Sequence, residues 1–446
     1  MPIYHPTVAI YTLGCKVNQY ESEAIAEAFE KNGFSVRPPH TVCDVYVINT
    51  CTVTAESDRK ARQFIRRAIH KNPRAFILVA GCYSQANPLQ IAAIAGVDYI
   101  TGNANKLSVV EEAIRLIALG KKRDTPVINN PPPDAYGFEK MSITHFDRTR
   151  AYVKIEDGCE NHCTYCIIPS ARGKIRSKAP EDVLQEVREL TENGCREIVL
   201  TGIETASFGK DLCEYTLCDL LEEIDRIPNV GRIRLGSLDP SLMKAPFVER
   251  ISHLSSLAPH FHLSMQSGSD KILALMKRKY NRRMALEAMV RLRQAIPNVQ
   301  FTTDVIVGFP NETDEDFEDT KRFAMEASFL MIHVFPYSKR QGTPAATMEG
   351  QIPEEIKHQR VRELSALQAR IRKEILDKEF GKTVNVLFET YRNGIATGHT
   401  PNFIEVSVPA PHPLHGLTLS VCIDGNDGEK CTGSLCKSTD ATSQER

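Results

Sequence analysis

The sequence predicts an α/β protein in three parts: an amino-terminal parallel α/β sheet domain, a central partial (β/α)6 barrel and a small carboxy-terminal β-barrel of OB-like size. Three observations carry that expectation. In the first part, continuous apolar runs alternate with amphipathic helical stretches, as in a parallel sheet buried on both faces. From Ala151, six further strand-like runs alternate with helical stretches, the repeat of a (β/α) barrel. From Lys382 the pattern changes to short strands separated by Gly, Pro and Asn turns, which suits a small closed barrel. The boundaries drawn on this basis are 6–119, a linker at 120–144, 145–376 and 377–440.

Length and composition set the outer limits. A chain of 446 residues has room for two to four domains, each with its own core. Hydrophobic residues at 42% and charged residues at 25% are ordinary for a globular protein. No apolar run approaches the ~18 residues of a membrane span, and the start, Met1 to Pro6, lacks the regions of a secretory signal. No membrane partner is expected, and the expected location is the cytoplasm. Thirteen cysteines, an odd number, are too few for a disulfide scaffold in a chain this long, so metal-bound thiols in a reducing compartment fit better. The net charge of −1 leaves no global footprint for nucleic acid, so RNA contact must come from local patches.

In chain order, Val8 to Leu13 reads as a strand followed by Gly14-Cys15, and Glu23 to Lys31 as a helix ended by Asn32-Gly33. Val45 to Asn49 is a second buried strand, followed by Thr50-Cys51. Ser57 to His70 is a basic helix, and Ala75 to Ala80 is a third strand, followed by Gly81-Cys82. Cys15, Cys51 and Cys82 thus each fall just beyond the carboxyl end of a strand, the edge at which open α/β sheets keep their functional crevice. Free cysteines also serve as small buried hydrophobes. That role would place them within strands or helix stripes, whereas here they recur at one edge, which favours a three-cysteine cluster. Cys43 lies ahead of its strand and is expected to be inert. Asn129 to Asp134, with three consecutive prolines, reads as an extended linker.

The barrel strands are expected at Ala151–Ile155, Glu197–Leu200, Arg232–Leu235, His260–Leu263, Phe301–Val307 and Met331–Phe335. The first leads into Cys159, Cys163 and Cys166, spaced C-x3-C-x2-C. Three thiolates within one tight loop converge on a common metal centre, and soft thiolates select zinc or iron–sulfur clusters. A structural zinc wants four closed ligands, whereas this is one compact triplet with His162 expected to face away. Three cysteines on a four-iron cluster would leave one iron open for chemistry.

C-x3-C-x2-C just after a strand resembles the signature of the radical S-adenosylmethionine (SAM) enzymes. The resemblance implies that the open iron chelates SAM, whose reductive cleavage gives a 5′-deoxyadenosyl radical. Thr12 to Ser22, Asn49 to Thr54 and Ala80 to Cys82 resemble the amino-terminal domain of the methylthiotransferases within that superfamily. This second resemblance implies an auxiliary 4Fe-4S cluster on Cys15, Cys51 and Cys82 beside the SAM cluster on Cys159, Cys163 and Cys166. It also implies two SAM molecules, an external low-potential electron donor and a sulfur source. Expected SAM contacts are Thr201, Gly202 and Glu204 after the second strand, Gln266 and Ser267 after the fourth, and Gly308 after the fifth. Gly202 and Gly308 equally suit strand-to-helix turns. Asn311 stands where the family usually has Gly, and Asn tolerates left-handed geometry.

Arg172 to Lys178 places four cations beside the cysteine loop, with Arg172 and Arg176 as RNA candidates. Lys277 to Arg283 and the helix bearing Arg59, Lys60, Arg62, Arg66 and Arg67 form further basic patches. Such residues commonly line a solvated face, but three patches on a near-neutral chain point to phosphate contact. Lys339 and Arg340 follow the sixth strand, where they form either a solvated turn or the partners of a substrate carboxylate.

Pro353 begins a long helix with Val361, Leu364, Leu367, Ile371 and Ile375 on one stripe and a charged face expected to be solvated. Val384 to Phe388, Ile404 to Val408 and Leu417 to Val421 are the short strands of the last domain. Gly394 to Phe403 resembles the TRAM domain, which implies RNA binding. The tail after Lys430 is expected to be disordered, with Cys431 and Cys436 as free thiols. Cys195, Cys213, Cys218 and Cys422 carry no expectation. Taken together, the resemblance implies a methylthiotransferase acting on tRNA. Leu13 to Asn18 and His333 to Pro344 look most like the branch that modifies carbon 2 of threonylcarbamoyl-adenosine at position 37, beside the anticodon. Neighbouring branches act on isopentenyl-adenosine or on an aspartate of a ribosomal protein.

Overall fold

The computed structural model describes residues 5–146 and 148–436. Thr7–Thr12 (β1), Ser35–Val36 (β2), Val45–Thr50 (β3), Phe76–Gly81 (β4), Tyr99–Thr101 (β5) and Val127–Asn129 (β6) form one parallel sheet in the order β2-β1-β3-β4-β5-β6. β3 and β4 are buried along their whole length because helices cover both faces. Helices Lys16–Lys31 and Ser108–Leu119 bring Ile25, Phe29, Val109 and Leu116 to one face, and Ala55–Lys71 brings Ala61, Ile65 and Ala68 to the other.

Two features differ from expectation. The first helix begins at Lys16 rather than Glu23. Asn18, Glu21 and Ser22 give that stretch a surface-like composition, yet all three are buried and hydrogen-bonded. The segment 120–144 is also no free linker throughout. β6 falls inside it as an exposed edge strand. Further on, Met141 and Ile143 are buried, and the Tyr20 hydroxyl donates to the Met141 carbonyl at 2.7 Å.

The central strands follow as Arg150–Lys154 (β7), Glu156–Asp157 (β8), Arg176–Ser177 (β9), Glu197–Thr201 (β10), Arg232–Leu235 (β11), His260–Gln266 (β12), Gln300–Val307 (β13) and Met331–Pro336 (β14). β11-β10-β7 and β12-β13-β14 are parallel sheets joined by a bridge between Leu238 and Leu263. The result is the expected six-stranded partial barrel, with every carboxyl end on one rim. β8 and β9 pair antiparallel and clasp the cysteine loop between them. Helix Glu354–Asp377 seats Leu364, Leu367, Ile371 and Ile375 in the core. Its charged face is only partly solvated: Lys357 donates to the Tyr337 carbonyl at 3.1 Å, and buried Arg360 donates to Glu312 at 2.7 Å. Among the described residues no helix is long and apolar enough to cross a membrane.

Thr383–Arg392 (β15), Ile395–His399 (β16), Glu405–Pro409 (β17), Thr418–Asn426 (β18) and Cys431–Leu435 (β19) close into a barrel in the order β15-β16-β17-β19-β18. The disorder expected after Lys430 is thereby corrected as far as Cys436. β19 pairs with both β17 and β18, and a closing strand needs backbone groups more than side chains. The rest of that tail lies outside the described residues.

This barrel docks on the amino-terminal ends of the central strands, opposite the rim. Phe403, held at φ 73°, stacks on His260 at 4.4 Å and His399 at 4.8 Å between ring centroids. The guanidinium carbons of Arg234 and Arg150 approach its ring at 4.8 and 5.7 Å. Arg150 also pairs with Glu389, and Arg234 donates to the Pro401 carbonyl at 3.2 Å. Replacing Phe403 by Ala removes a half-buried ring and is expected to cost about 2–3 kcal/mol, below the ~3–5 kcal/mol of a fully buried Phe, with cation–π attraction included. Cys159, Cys163 and Cys166 follow the opposite ends of the central strands, so the unfolding midpoint should fall while that loop stays intact. Deleting the chain from Lys382 is a harsher change, because it strips Arg150 and Arg234 of these partners.

Candidate metal centres and active-site cleft

β1, β3 and β4 are neighbours in register, with Thr12 beside Asn49 and Asn49 beside Ala80. Cys15, Cys51 and Cys82 therefore emerge side by side. Cys15 caps helix Lys16–Lys31, and Cys82 opens helix Cys82–Ala86. The glycines before two of them have steric reasons. Gly14 sits at φ 108°, and an added Cβ would lie 2.8 Å from the Cys51 Cβ and 3.0 Å from its Sγ. Gly81 sits at φ 103°, where an added Cβ would meet the Thr50 carbonyl oxygen at 2.5 Å. Burial, then the charge of Cys82, pushes the Cys51 thiol up to about 12. A thiol held so high needs bound metal to become thiolate. Cys43 is buried at the other end of β3.

The second triplet is built by the loop between β8 and β9. Gly158 sits at φ 93°, and an added Cβ would lie 1.9 Å from the Lys174 carbonyl oxygen, so the returning strand can pass only over glycine. The Cys159 amide donates to the Gly173 carbonyl at 3.0 Å, and Thr164 anchors the loop to the Leu275 carbonyl at 2.8 Å. Each sulfur accepts a hydrogen bond: Cys159 from the Asn161 amide at 3.4 Å, Cys166 from the Ile168 amide at 3.4 Å, and Cys163 from Arg278 at 3.2 Å. Burial pushes Cys159 up to about 12 and Cys166 to about 11, and Cys82 is among the charges acting on Cys166. Asn103, which faces the Cys82 thiol, donates to the Ala171 carbonyl at 2.7 Å and so ties the two cysteine regions together. His162 is exposed, as expected. Among the described residues no three metal-binding side chains converge on a single ion. A four-iron cluster takes one cysteine per iron, and two all-cysteine triplets lined by donors fit that demand.

The loop faces the end of β10. Gly202 is backed by Glu156, whose Oε2 would lie 2.7 Å from an added Cβ. Glu156 is fully buried; Oε2 accepts from the Glu204 amide at 2.8 Å, while Oε1 has no partner among the described residues. Burial raises its pKa well above the usual range. Burial and then Asp239 push Glu204 up to about 7, and its carboxylate accepts from Asn161 at 3.1 Å. Thr201 is buried and its carbonyl accepts from Ile155 at 2.8 Å. Gln266 ends β12 at φ 65°, a strained position for a non-glycine residue, beside a register shift. Ser267 is buried and accepts from the Ser269 amide at 3.2 Å. Gly308, at φ 71°, turns its missing Cβ toward Lys357 and donates to Glu312 at 2.5 Å.

The RNA candidates fare differently from one another. Arg172 is completely buried, so it serves as an internal counter-charge rather than a phosphate contact. Arg340 is buried too, donating to Asp58 at 2.8 Å and to Thr52 at 2.6 Å. Arg176 donates to the carbonyls of Arg172 and Lys174, both at 3.0 Å. Lys339 is exposed, and so are Lys60, Arg66 and Arg67 on the basic helix.

Sequence reading missed three features. Arg278 was counted only as part of a basic patch, yet it holds Cys163, Asp239 at 3.1 Å and the Ser264 carbonyl at 3.1 Å. Glu156 gave no signal beyond a carboxylate after a strand. The third is a polar barrel interior, where His262 approaches Asp304 at 3.3 Å and His333 at 6.1 Å between rings. Lys16 reaches toward it: burial, with Arg234 and Arg150, lowers its pKa, and Asp304 and Cys15 oppose that.

Residues 153–324 match the Radical SAM superfamily, and residues 7–102 match Uncharacterized protein family UPF0004. The chain is 41% identical over 426 residues to threonylcarbamoyladenosine tRNA methylthiotransferase MtaB of Bacillus subtilis (strain 168), covering 94% of this chain and 93% of that protein. It is 35% identical over 452 residues to tRNA-2-methylthio-N(6)-dimethylallyladenosine synthase of Staphylococcus haemolyticus (strain JCSC1435), covering 98% and 86%. Among solved structures, the radical S-adenosylmethionine methyltransferase TsrM from Kitasatospora setae shares the fold, with a TM-score of 0.56 at 16% identity over 76% of this chain and 74% of that one.

Proposed function

The chain belongs to the radical SAM tRNA methylthiotransferases, and on that premise we propose that it methylthiolates carbon 2 of threonylcarbamoyl-adenosine at position 37 of tRNA. In this reading Cys159, Cys163 and Cys166 hold a SAM-binding 4Fe-4S cluster, and Cys15, Cys51 and Cys82 hold an auxiliary one. When bound, the clusters and two SAM molecules supply hydrogen abstraction, sulfur and a methyl group. An external low-potential electron donor and a sulfur source complete the reaction, which we place in the cytoplasm. The observation that supports the two-centre reading best is that Arg172, six residues after Cys166, donates to the Cys82 sulfur at 3.4 Å, so that one side chain joins the two cysteine-bearing domains.

The chain's own residues would shape the site as follows. Arg278 and the Asn161 and Ile168 amides hold the sulfurs of the loop. Thr201, Gly202 and Glu204 stand beside that loop, and buried Glu156, whose Oε1 has no partner among the described residues, backs them. The threonylcarbamoyl group brings a carboxylate, where an isopentenyl group brings only apolar surface. Arg340 is committed to Asp58, and Lys16, beside Cys15, and exposed Lys339 are the candidate cations for that carboxylate.

Mass spectrometry of digested tRNA tests the substrate. Cells lacking the protein are expected to lose the methylthio form of threonylcarbamoyl-adenosine and keep its unmethylthiolated precursor. Loss of the isopentenyl derivative instead, or intact tRNA with an unmodified ribosomal aspartate, overturns the substrate assignment.

A further inference from the structure

Arg172 is the largest fully buried side chain among the described residues. All five of its N–H donors are engaged. Nε donates to the Cys82 sulfur at 3.4 Å. Nη1 donates to Glu21 at 2.7 Å and to Asp157 at 3.2 Å, and Nη2 to Asn18 at 2.7 Å and Glu21 at 3.3 Å. These partners come from separate parts of the chain. Asn18 and Glu21 lie on the helix that Cys15 caps, and Asp157 precedes Cys159. Arg172 itself ends helix Ile168–Arg172, which starts just after Cys166. One guanidinium therefore touches the elements that carry Cys15, Cys82, Cys159 and Cys166.

The charges around it do not cancel. Arg172, Lys154 and Lys106 bring three positive charges, against two negative ones on Glu21 and Asp157. Counting direct ion pairs, Arg176 at 3.6 Å from Asp157 adds a further positive charge. Among these direct ion pairs positive charge is in excess, and in a buried network an uncompensated charge is costly. The group that Arg172 reaches and no carboxylate neutralises is the Cys82 sulfur. A thiolate there, carried by an anionic cluster, supplies the missing charge.

We infer that Arg172 is a positioning residue for the auxiliary centre: it fixes that centre against the SAM-cluster loop and tunes it through a charge-assisted hydrogen bond to the Cys82 sulfur. This inference rests on the two-cluster reading proposed above. Hydrogen bonds and positive charge at a cluster sulfur favour the reduced, more negative state and so raise the reduction potential. Lysine keeps the charge but cannot span Cys82, Glu21, Asp157 and Asn18 at once, since it lacks the planar fork.

The test uses the full chain, anaerobically reconstituted. Wild type is read first: if it holds only four irons, the two-cluster reading fails before any variant is considered. With both clusters present, Arg172→Gln is expected to shift the auxiliary midpoint, followed by electron paramagnetic resonance, to lower potential. The ratio of 5′-deoxyadenosine to methylthiolated product should rise at least tenfold. Arg172→Lys is expected to show a smaller shift in the same direction and partial recovery of that ratio. Should Arg172→Gln fail to fold, Arg172→Lys decides alone. A midpoint, spectrum and product ratio equal to wild type in the variant that folds would overturn the inference.

Discussion

Replacing Cys15, Cys51 and Cys82 together by alanine is expected to halve the iron of the reconstituted protein, from about eight atoms to about four, and to abolish methylthiolated product while SAM is still cleaved. Replacing Cys159, Cys163 and Cys166 is expected to halve the iron as well, but to stop SAM cleavage altogether. The two outcomes differ because the triplets stand on separate elements. The first is held by the edge of a complete six-stranded sheet, and the second by a loop clasped between β8 and β9. Each can lose its sulfurs without unfolding the other's scaffold. The glycines support the same division: Gly14 leaves room for Cys51, and Gly158 for the backbone at Lys174. Iron analysis and quantified 5′-deoxyadenosine check both variants. Full iron content in the first would remove the auxiliary cluster from the account.

The grouping of the six cysteines into two triplets was legible for two different reasons. Cys159, Cys163 and Cys166 are local in sequence, so spacing alone brings them together. Cys15, Cys51 and Cys82 are remote from one another, but each follows an apolar run that must be a buried strand, and parallel strands share one edge. The barrel strands were legible on the same grounds. What escaped was either short or polar. β2, β5, β6 and β19 have two to five residues each and lean on backbone pairing. Glu21, Lys154, Asp157 and Arg172 look like surface charges one at a time. Only the fold reveals that Glu21 meets Lys154 at 2.8 Å across two domains. Periodicity records which positions are apolar; it carries no information on which charges are buried in pairs. For that reason Arg172 read as a phosphate contact and Arg340 as a partner for the substrate carboxylate, and both are internal.

Lys16→Gln is expected to raise KM for tRNA bearing threonylcarbamoyl-adenosine roughly 10- to 100-fold, the worth of a charge-assisted hydrogen bond of ~1.5–3 kcal/mol. Lys16 follows Cys15 directly, and the charges that act on it, Asp304, Arg234 and Arg150, belong to the barrel strands. It thus projects from the auxiliary triplet toward the barrel interior, where we place the substrate carboxylate. Exposed Lys339 is the competing cation, and a solvated contact of that kind is worth about 0–1 kcal/mol, so Lys339→Gln should change KM by less than about fivefold. An ammonium set to meet a carboxylate is left unpaired by an isopentenyl group, which is how a polar site rejects an apolar analogue. Lys16→Arg should retain most of the affinity, because charge rather than shape is required. Steady-state kinetics with tRNAs carrying each modification would separate these outcomes, with iron content measured alongside because Cys15 is adjacent. A large effect from Lys339→Gln would move carboxylate recognition to the turn after β14. If neither lysine affects KM, neither of them reads the carboxylate, and the preference for threonylcarbamoyl over isopentenyl must then arise from other groups at the rim.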